Sequence, residues 1–218
     1  MNFSFRFLKV WWLFFSAGTL FLIGISVVFT KADGFLYMQL PHNSIGLVLF
    51  KFLTFLGDGA FTLLVCTFLA AKISYRKATT LLSGYLIASL IVQLTKQVLL
   101  TDMPRPVEWF ELHQLPLFIP EGLSPHKWNS FPSGHSATIA GLSFFLGSLT
   151  KRKSLQIVLA VLAILVGYSR IYLFMHFSLD VCVGLCIGVF SMVYAGNLIS
   201  TIFEKRNPSW ANKSLLNR

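Results

Sequence analysis

An all-α, polytopic bundle of six transmembrane helices is the fold class this sequence predicts, on three observations. First, hydrophobic residues fill 55% of the 218 positions and charged residues only 12%, with a mean hydropathy of +0.70; a soluble domain is nearer a quarter charged. Second, charge is sparse in long blocks, several of which reach the roughly 20 apolar residues needed to cross hydrocarbon. Third, Lys and Arg gather in alternate connections, as they do on the cytoplasmic side of membrane proteins. The net charge of +10 therefore belongs to topology, and nucleic acid is not an expected partner.

The chain reads as one domain over residues 1–218. Val10–Thr30 is the first helix. With Arg6 and Lys9 before it, this stretch resembles a signal sequence, but its apolar run is too long and lacks a small-residue cleavage site, so it reads as a retained helix. Lys31–Asn43 is a polar connector, partly an interfacial helix. The second helix is expected to begin near Lys51 and run to Ile73, with Asp58 in Gly57-Asp58-Gly59 as a turn or a cap. Thr79–Leu100, Ser133–Leu149, Leu155–Leu173 and Phe177–Phe203 complete the six. Residues 101–130 form the one long loop, rich in proline and aromatic residues. Loops of this length in compact proteins are functional or disordered, and proline argues for the first. Residues 204–218 are a basic tail.

The three cysteines lie in apolar runs. Cys182 and Cys186 share a helix face without the partners of a zinc site, so they read as packing residues. His42 and His113 read as loop residues.

Six helices put both termini on one side, with the loop at Lys72 and the turn at Lys151. The positive-inside rule makes that side cytoplasmic. The 101–130 loop is then extracytoplasmic and the 204–218 tail cytoplasmic. Lys96, Arg105, Ser133, His135, Arg170, His176 and Asp180 all fall at the opposite, extracytoplasmic face. Ionisable residues at such a depth are costly and mark function.

Three of them (Lys96, Arg105, Arg170) are cations, against one carboxylate, Asp180. Such a surplus suits an anion with several oxygens, and phosphate fits the Arg fork and the Lys point charge. Pro132-Ser133-Gly134-His135 opens a helix, whose free N–H groups and dipole favour an anion. Gly134 admits a phosphate close to the backbone, and the Ser133 hydroxyl is a further donor. His135 stands where it can pass a proton to a leaving oxygen. His176 and Asp180, four apart, share a face if the last helix has already begun at His176. That is a base with its orienter.

Lys96 followed by Arg105-Pro106, Pro132–His135, and Ser169-Arg170 with His176 and Asp180 at the following spacings together resemble the three sequence blocks of the type 2 phosphatidic acid phosphatase superfamily of membrane lipid phosphatases. The second and third blocks are intact. In the first, eight residues separate Lys96 from Arg105 where six is usual, and a bulge in Thr101–Pro104 is expected to absorb the excess. The resemblance implies His176 as a nucleophile forming a phosphohistidine, Asp180 as its orienter and His135 as general acid and base. It also implies phosphate binding by Lys96, Arg105, Ser133, Gly134 and Arg170. No metal or other cofactor is implied.

The substrate class implied is a membrane lipid phosphate: undecaprenyl diphosphate, phosphatidylglycerol phosphate, phosphatidate or, alternatively, a lipid A phosphate. The setting is a bacterial-type inner membrane. Residues 101–130, with His126 and Lys127, serve headgroup selection or form an interfacial lid. A non-catalytic lipid-phosphate binder or transporter is the reading from another class, but it has no need of two histidines. A vanadate-binding haloperoxidase resembles the same site, yet such relatives are soluble.

Overall fold

The computed structural model describes residues 8–206 and 208–216; Arg6, named above, and Arg218 at the end of the basic tail lie outside them. Nine α-helices follow in order among the described residues: α1 (Lys9–Val28), α2 (Lys31–Tyr37), α3 (Ser44–Phe55), α4 (Gly59–Lys72), α5 (Tyr75–Leu94), α6 (Pro106–Leu112), α7 (Gly134–Ser148), α8 (Lys153–Tyr172) and α9 (Ser178–Arg206). A π-helical turn, Thr95–Leu99, extends α5. No strand occurs among the described residues.

Among the described residues, four helices are long and apolar enough to cross a membrane: α1, α5 with its π turn, α8 and α9. The pair α3 and α4 qualifies together, bent by 50°. These helices mark a membrane protein. The single second helix expected from Lys51 is thus replaced by two, and the cause is local. Asp58 ends the first run and caps the second, its side chain accepting from the Ala60 N–H at 2.8 Å. A carboxylate at an N-cap satisfies a helix-end donor, so starting anew costs little.

The lateral centre is α7. It has 15 residues, about 22 Å of helix, shorter than the hydrocarbon core. None of its residues is exposed; it packs against α5, α8 and α9. Gly184 and Gly188, four apart on α9, make the close approach possible. A β-carbon at Gly184 would overlap the Ser133 carbonyl oxygen, and one at Gly188 that of Ala137. Small residues at this spacing let helix backbones touch where no hydrophobic effect drives association. On the other flank the Trp11 indole donates to the Ser143 hydroxyl (2.9 Å), which donates to the Leu159 carbonyl (2.7 Å), tying α1, α7 and α8.

The first connection is part helix, as expected, and the long loop holds a helix that was not. The Lys31–Asn43 connector contains α2, capped by Thr30, and the 101–130 loop contains α6, with Pro106 at its start. His42 stacks on Tyr172 (4.2 Å) and His113 on Trp109 (4.0 Å), as structural loop residues. The tail folds back on the α4–α5 connection: Tyr75 and Arg76 donate to the carbonyls of Lys213 and Ala211. Cys66 and Cys182 are buried, but Cys186 is exposed and does not pack as anticipated.

Candidate active site

The end of α5, the starts of α7 and α9 and the end of α8 bring the expected residues together. His176 is not helical; it lies in the turn between α8 and α9, two residues before α9 begins. The turn is built by Phe174, whose φ of 59° is uncommon for a bulky residue. The Met175 and His176 N–H groups both return to the Arg170 carbonyl, at 2.9 and 3.2 Å. The turn therefore fixes His176 relative to Arg170.

His176 and Asp180 still pair. Nδ1 lies 3.5 Å from Asp180 Oδ2, a contact longer than an aligned hydrogen bond. The same oxygen accepts two hydrogen bonds, from the Ser130 hydroxyl and from the Phe177 N–H at 3.0 Å. The second is half of a capping box, in which an acidic side chain in the first turn reaches back to the N–H before the helix. So Asp180 holds the start of α9 and the ring of His176 at once. Both residues are buried. Burial pushes the His176 imidazole down to about 3, against the pull of Asp180, so the ring is neutral near pH 7 with a lone pair to give.

Ser133 caps α7. Its oxygen accepts from the Ser136 hydroxyl (2.7 Å) and, at 3.4 Å, from the Ser136 N–H. Its own N–H donates to the Asp180 carbonyl at 2.9 Å, which docks the start of α7 on the first turn of α9. That N–H is therefore spent, and Ser133 is fully buried. Pro132 sits one residue before the cap, after a cis peptide bond with Phe131, and not in the first helical turn as expected. Gly134 opens α7 with room to spare: a β-carbon there would meet nothing closer than Val92 at 3.7 Å. Packing does not require this glycine. A cavity of about 150 Å³ lies against Gly134 and His135, lined also by Tyr85, Ser89 and Gln93.

The cations are held from different sides. Arg105 caps α6 and is caged by carbonyls: Nε donates to Trp128 at 2.7 Å, and the two terminal nitrogens to Met175 at 3.3 Å and Asn129 at 3.4 Å. Arg170, buried in the last turn of α8, donates to the Thr54 hydroxyl, while its Nε has no partner among the described residues. Lys96 is buried in the π turn. Such a turn holds one extra residue, so part of the longer Lys96–Arg105 spacing is absorbed there; the rest lies in the expected segment, where Asp102 takes a φ of 58°. Charge interactions couple Lys96 to Arg105, Asp180 and Arg170.

Two contributors are not singled out from the sequence, and a third does more than expected. Thr54 and Ser130 are an ordinary threonine and serine in sequence, visible only through their partners. Asp58, expected as a turn or a cap, is a cap; its second oxygen also lies 4.0 Å from His135 Nε2. Conversely, Lys127 is not free to select a headgroup. Its ammonium bridges Glu111 (2.8 Å) and Glu108 (2.9 Å), which hold it above the usual lysine range.

The crystal structure of Aquifex aeolicus LpxE aligns with a TM-score of 0.62 at 26% identity, over 76% of this chain and 93% of that one. Phosphatidylglycerophosphatase B of Bacillus subtilis (strain 168) is 42% identical over 69 residues, 28% of this chain and 34% of that protein. The chain thus matches about a third of the length of that curated relative. Residues 77–205, more than half of the sequence and all of the segment from Lys96 to Asp180, match the PAP2 superfamily. With its three cation-bearing segments and its His176–Asp180 pair gathered at one end of a helical bundle, the chain belongs to the PAP2 superfamily.

Proposed function

We propose that this protein is a membrane lipid phosphatase that hydrolyses a lipid phosphate through a phosphohistidine. The observation that carries the reading is a buried, neutral His176 backed by Asp180, beside an arginine whose Nε–H lacks a partner among the described residues. The superfamily and the phosphatase among its relatives support it.

In the first step the free ring nitrogen of His176 attacks phosphorus. The P–O bond to the lipid breaks, and His135 gives its proton to the departing oxygen. Asp180 stabilises the positive charge on the His176 ring. Lys96, Arg105 and Arg170 take the charge of the phosphoryl oxygens, assisted by Gly134, which leaves space for them, and by the Ser133 hydroxyl. Preorganised charge of this kind is commonly the largest catalytic contribution. Water then attacks phosphorus, His135 takes its proton, the P–N bond breaks and inorganic phosphate leaves. The step runs without a metal.

The substrate is a phosphate on a lipid anchor of the phosphatidylglycerol phosphate, undecaprenyl diphosphate or phosphatidate type, with a lipid A phosphate as the alternative. One domain spans the bilayer six times, α7 being the fourth crossing and the α3–α4 pair the second. Both termini face the cytoplasm, and the site faces the extracytoplasmic side of an inner membrane. The 12 Lys and Arg in the N-terminal segment, the Lys72 and Lys151 connections and the tail support this orientation.

Purified protein assayed for phosphate release across these lipid classes tests the reading. His176→Ala should release none, orthovanadate should inhibit and EDTA should leave the rate unchanged. A wild type silent on every lipid phosphate sinks the proposal; loss in EDTA with recovery on adding a divalent metal sinks its metal-free step.

A further inference from the structure

The described residues contain two histidine–carboxylate pairs, and the second lies outside the three sequence blocks. His135 Nε2 is 4.0 Å from Asp58 Oδ2. Asp58 comes from the break between α3 and α4, before the family match begins at residue 77. Its carboxylate is not loose: Oδ1 accepts the Ala60 N–H at 2.8 Å, which leaves Oδ2 turned to the imidazole. The break is seated on the turn that carries His135. A β-carbon at Gly57 would come within 2.9 Å of the His135 carbonyl oxygen and 3.1 Å of its Cβ. Glycine at 57 is therefore what permits Asp58 to reach the ring.

The charges around His135 give the carboxylate a task. Arg170, Lys96 and Arg105 act on the ring as like charges, and Asp58 is the one opposite charge among the groups that act on it. A proton donor surrounded by three cations needs a fixed anion on its far side, because each cation disfavours the protonated ring.

We infer that Asp58 is a positioning residue for proton transfer, holding His135 through Nε2 so that Nδ1 serves the leaving oxygen and then the water. In the first step the Nδ1 proton goes to the lipid oxygen as the P–O bond breaks. In the second, Nδ1 receives a proton from water as the O–P bond forms and the P–N bond breaks. Asp58 exchanges no proton. The inference rests on the phosphatase reading.

The test compares two esters. A short-chain alkyl phosphate leaves as an alkoxide and needs the proton; p-nitrophenyl phosphate leaves as a stable anion and does not. In the purified full chain, Asp58→Asn keeps an oxygen for the Ala60 cap but removes the charge, and Asp58→Ala removes both. Both variants should lose roughly 10²-fold or more in kcat on the alkyl ester, the usual worth of general acid catalysis. With p-nitrophenyl phosphate the first-turnover burst of nitrophenolate should persist while steady turnover slows and phosphoenzyme accumulates. Equal losses on the first step of both esters overturn the inference, as does an Asp58→Asn enzyme that matches wild type, which would make Asp58 a cap alone. A wild type that cleaves neither ester removes the phosphatase reading itself, a result separable from both.

Discussion

Ser130 and His176 meet on a single atom: the Ser130 hydroxyl donates to Asp180 Oδ2, the oxygen that lies 3.5 Å from His176 Nδ1. The serine closes the 101–130 loop, and its N–H donates to the Met103 carbonyl at 2.9 Å, so the loop is tied to the carboxylate that faces His176. Ser130→Ala should leave Asp180 with the Phe177 N–H alone and free it to rotate. A hydrogen bond to a charged group is worth about 1.5–3 kcal/mol, so kcat should fall roughly 10- to 100-fold with little change in KM. Steady-state kinetics on a lipid phosphate checks this. A rise in KM alone would place Ser130 in substrate binding instead.

The burial of His176 has a thermodynamic signature. Its folded pKa, about 3, lies below the unfolded value near 6.5. Between the two the unfolded chain binds a proton that the folded chain refuses, so stability falls as pH drops through this window. The slope from this group is at most about 1.4 kcal/mol per pH unit. His176→Gln should flatten the decline in thermal midpoint between pH 7.5 and 5.5 relative to wild type, measured in detergent. Equal slopes would mean that the ring takes up its proton in the folded state.

Lys127 acts on the site through the backbone. Its side chain clamps α6 by Glu108 and Glu111, while its carbonyl accepts the Arg105 N–H at 2.8 Å and the next two carbonyls hold the guanidinium. Lys127→Met should loosen that cage. The expected result is a KM several-fold higher with kcat nearly unchanged, and a wild-type KM that rises with salt, since exposed pairs are screened. A salt-independent KM would argue against the clamp.

Gly184→Ala tests the docking of α7 on α9. The added carbon overlaps the Ser133 carbonyl oxygen and must push the two backbones apart. Overpacking costs about 1–3 kcal/mol, and here it also pulls Ser133 from Asp180. Thermal midpoint and kcat should fall together. Retention of both would show that the contact can relax without cost.

How much of this was legible depends on the kind of signal. The long helices were, because apolar runs of bilayer length have few other solutions; α1, α8 and α9 lie within a few residues of their expected bounds. The ionisable motif residues stood out too, since such groups are rare beside long apolar runs. The α3–α4 break was missed because Gly57-Asp58-Gly59 fits a cap and a passing turn equally well by sequence, and the Asp58–Ala60 cap decides between them. Ser130 carried no local signal at all. The π turn at Lys96 and helix α6 within a proline-rich loop depend on tertiary packing, which periodicity does not report.

The wrapping of α7 by protein has a consequence for the membrane around it. Bilayers differ in thickness, and a helix that meets lipid tilts or bends to match at a cost of fractions of a kcal/mol per Å. No residue of α7 is exposed, so lipid has no grip on the helix that carries Ser133, Gly134 and His135. Mismatch strain falls on the outward faces of α1, α5, α8 and α9, while the start of α7 is held by the Ser133–Asp180 backbone bond. The start of α7 thus feels membrane thickness only through its protein neighbours, α9 above all.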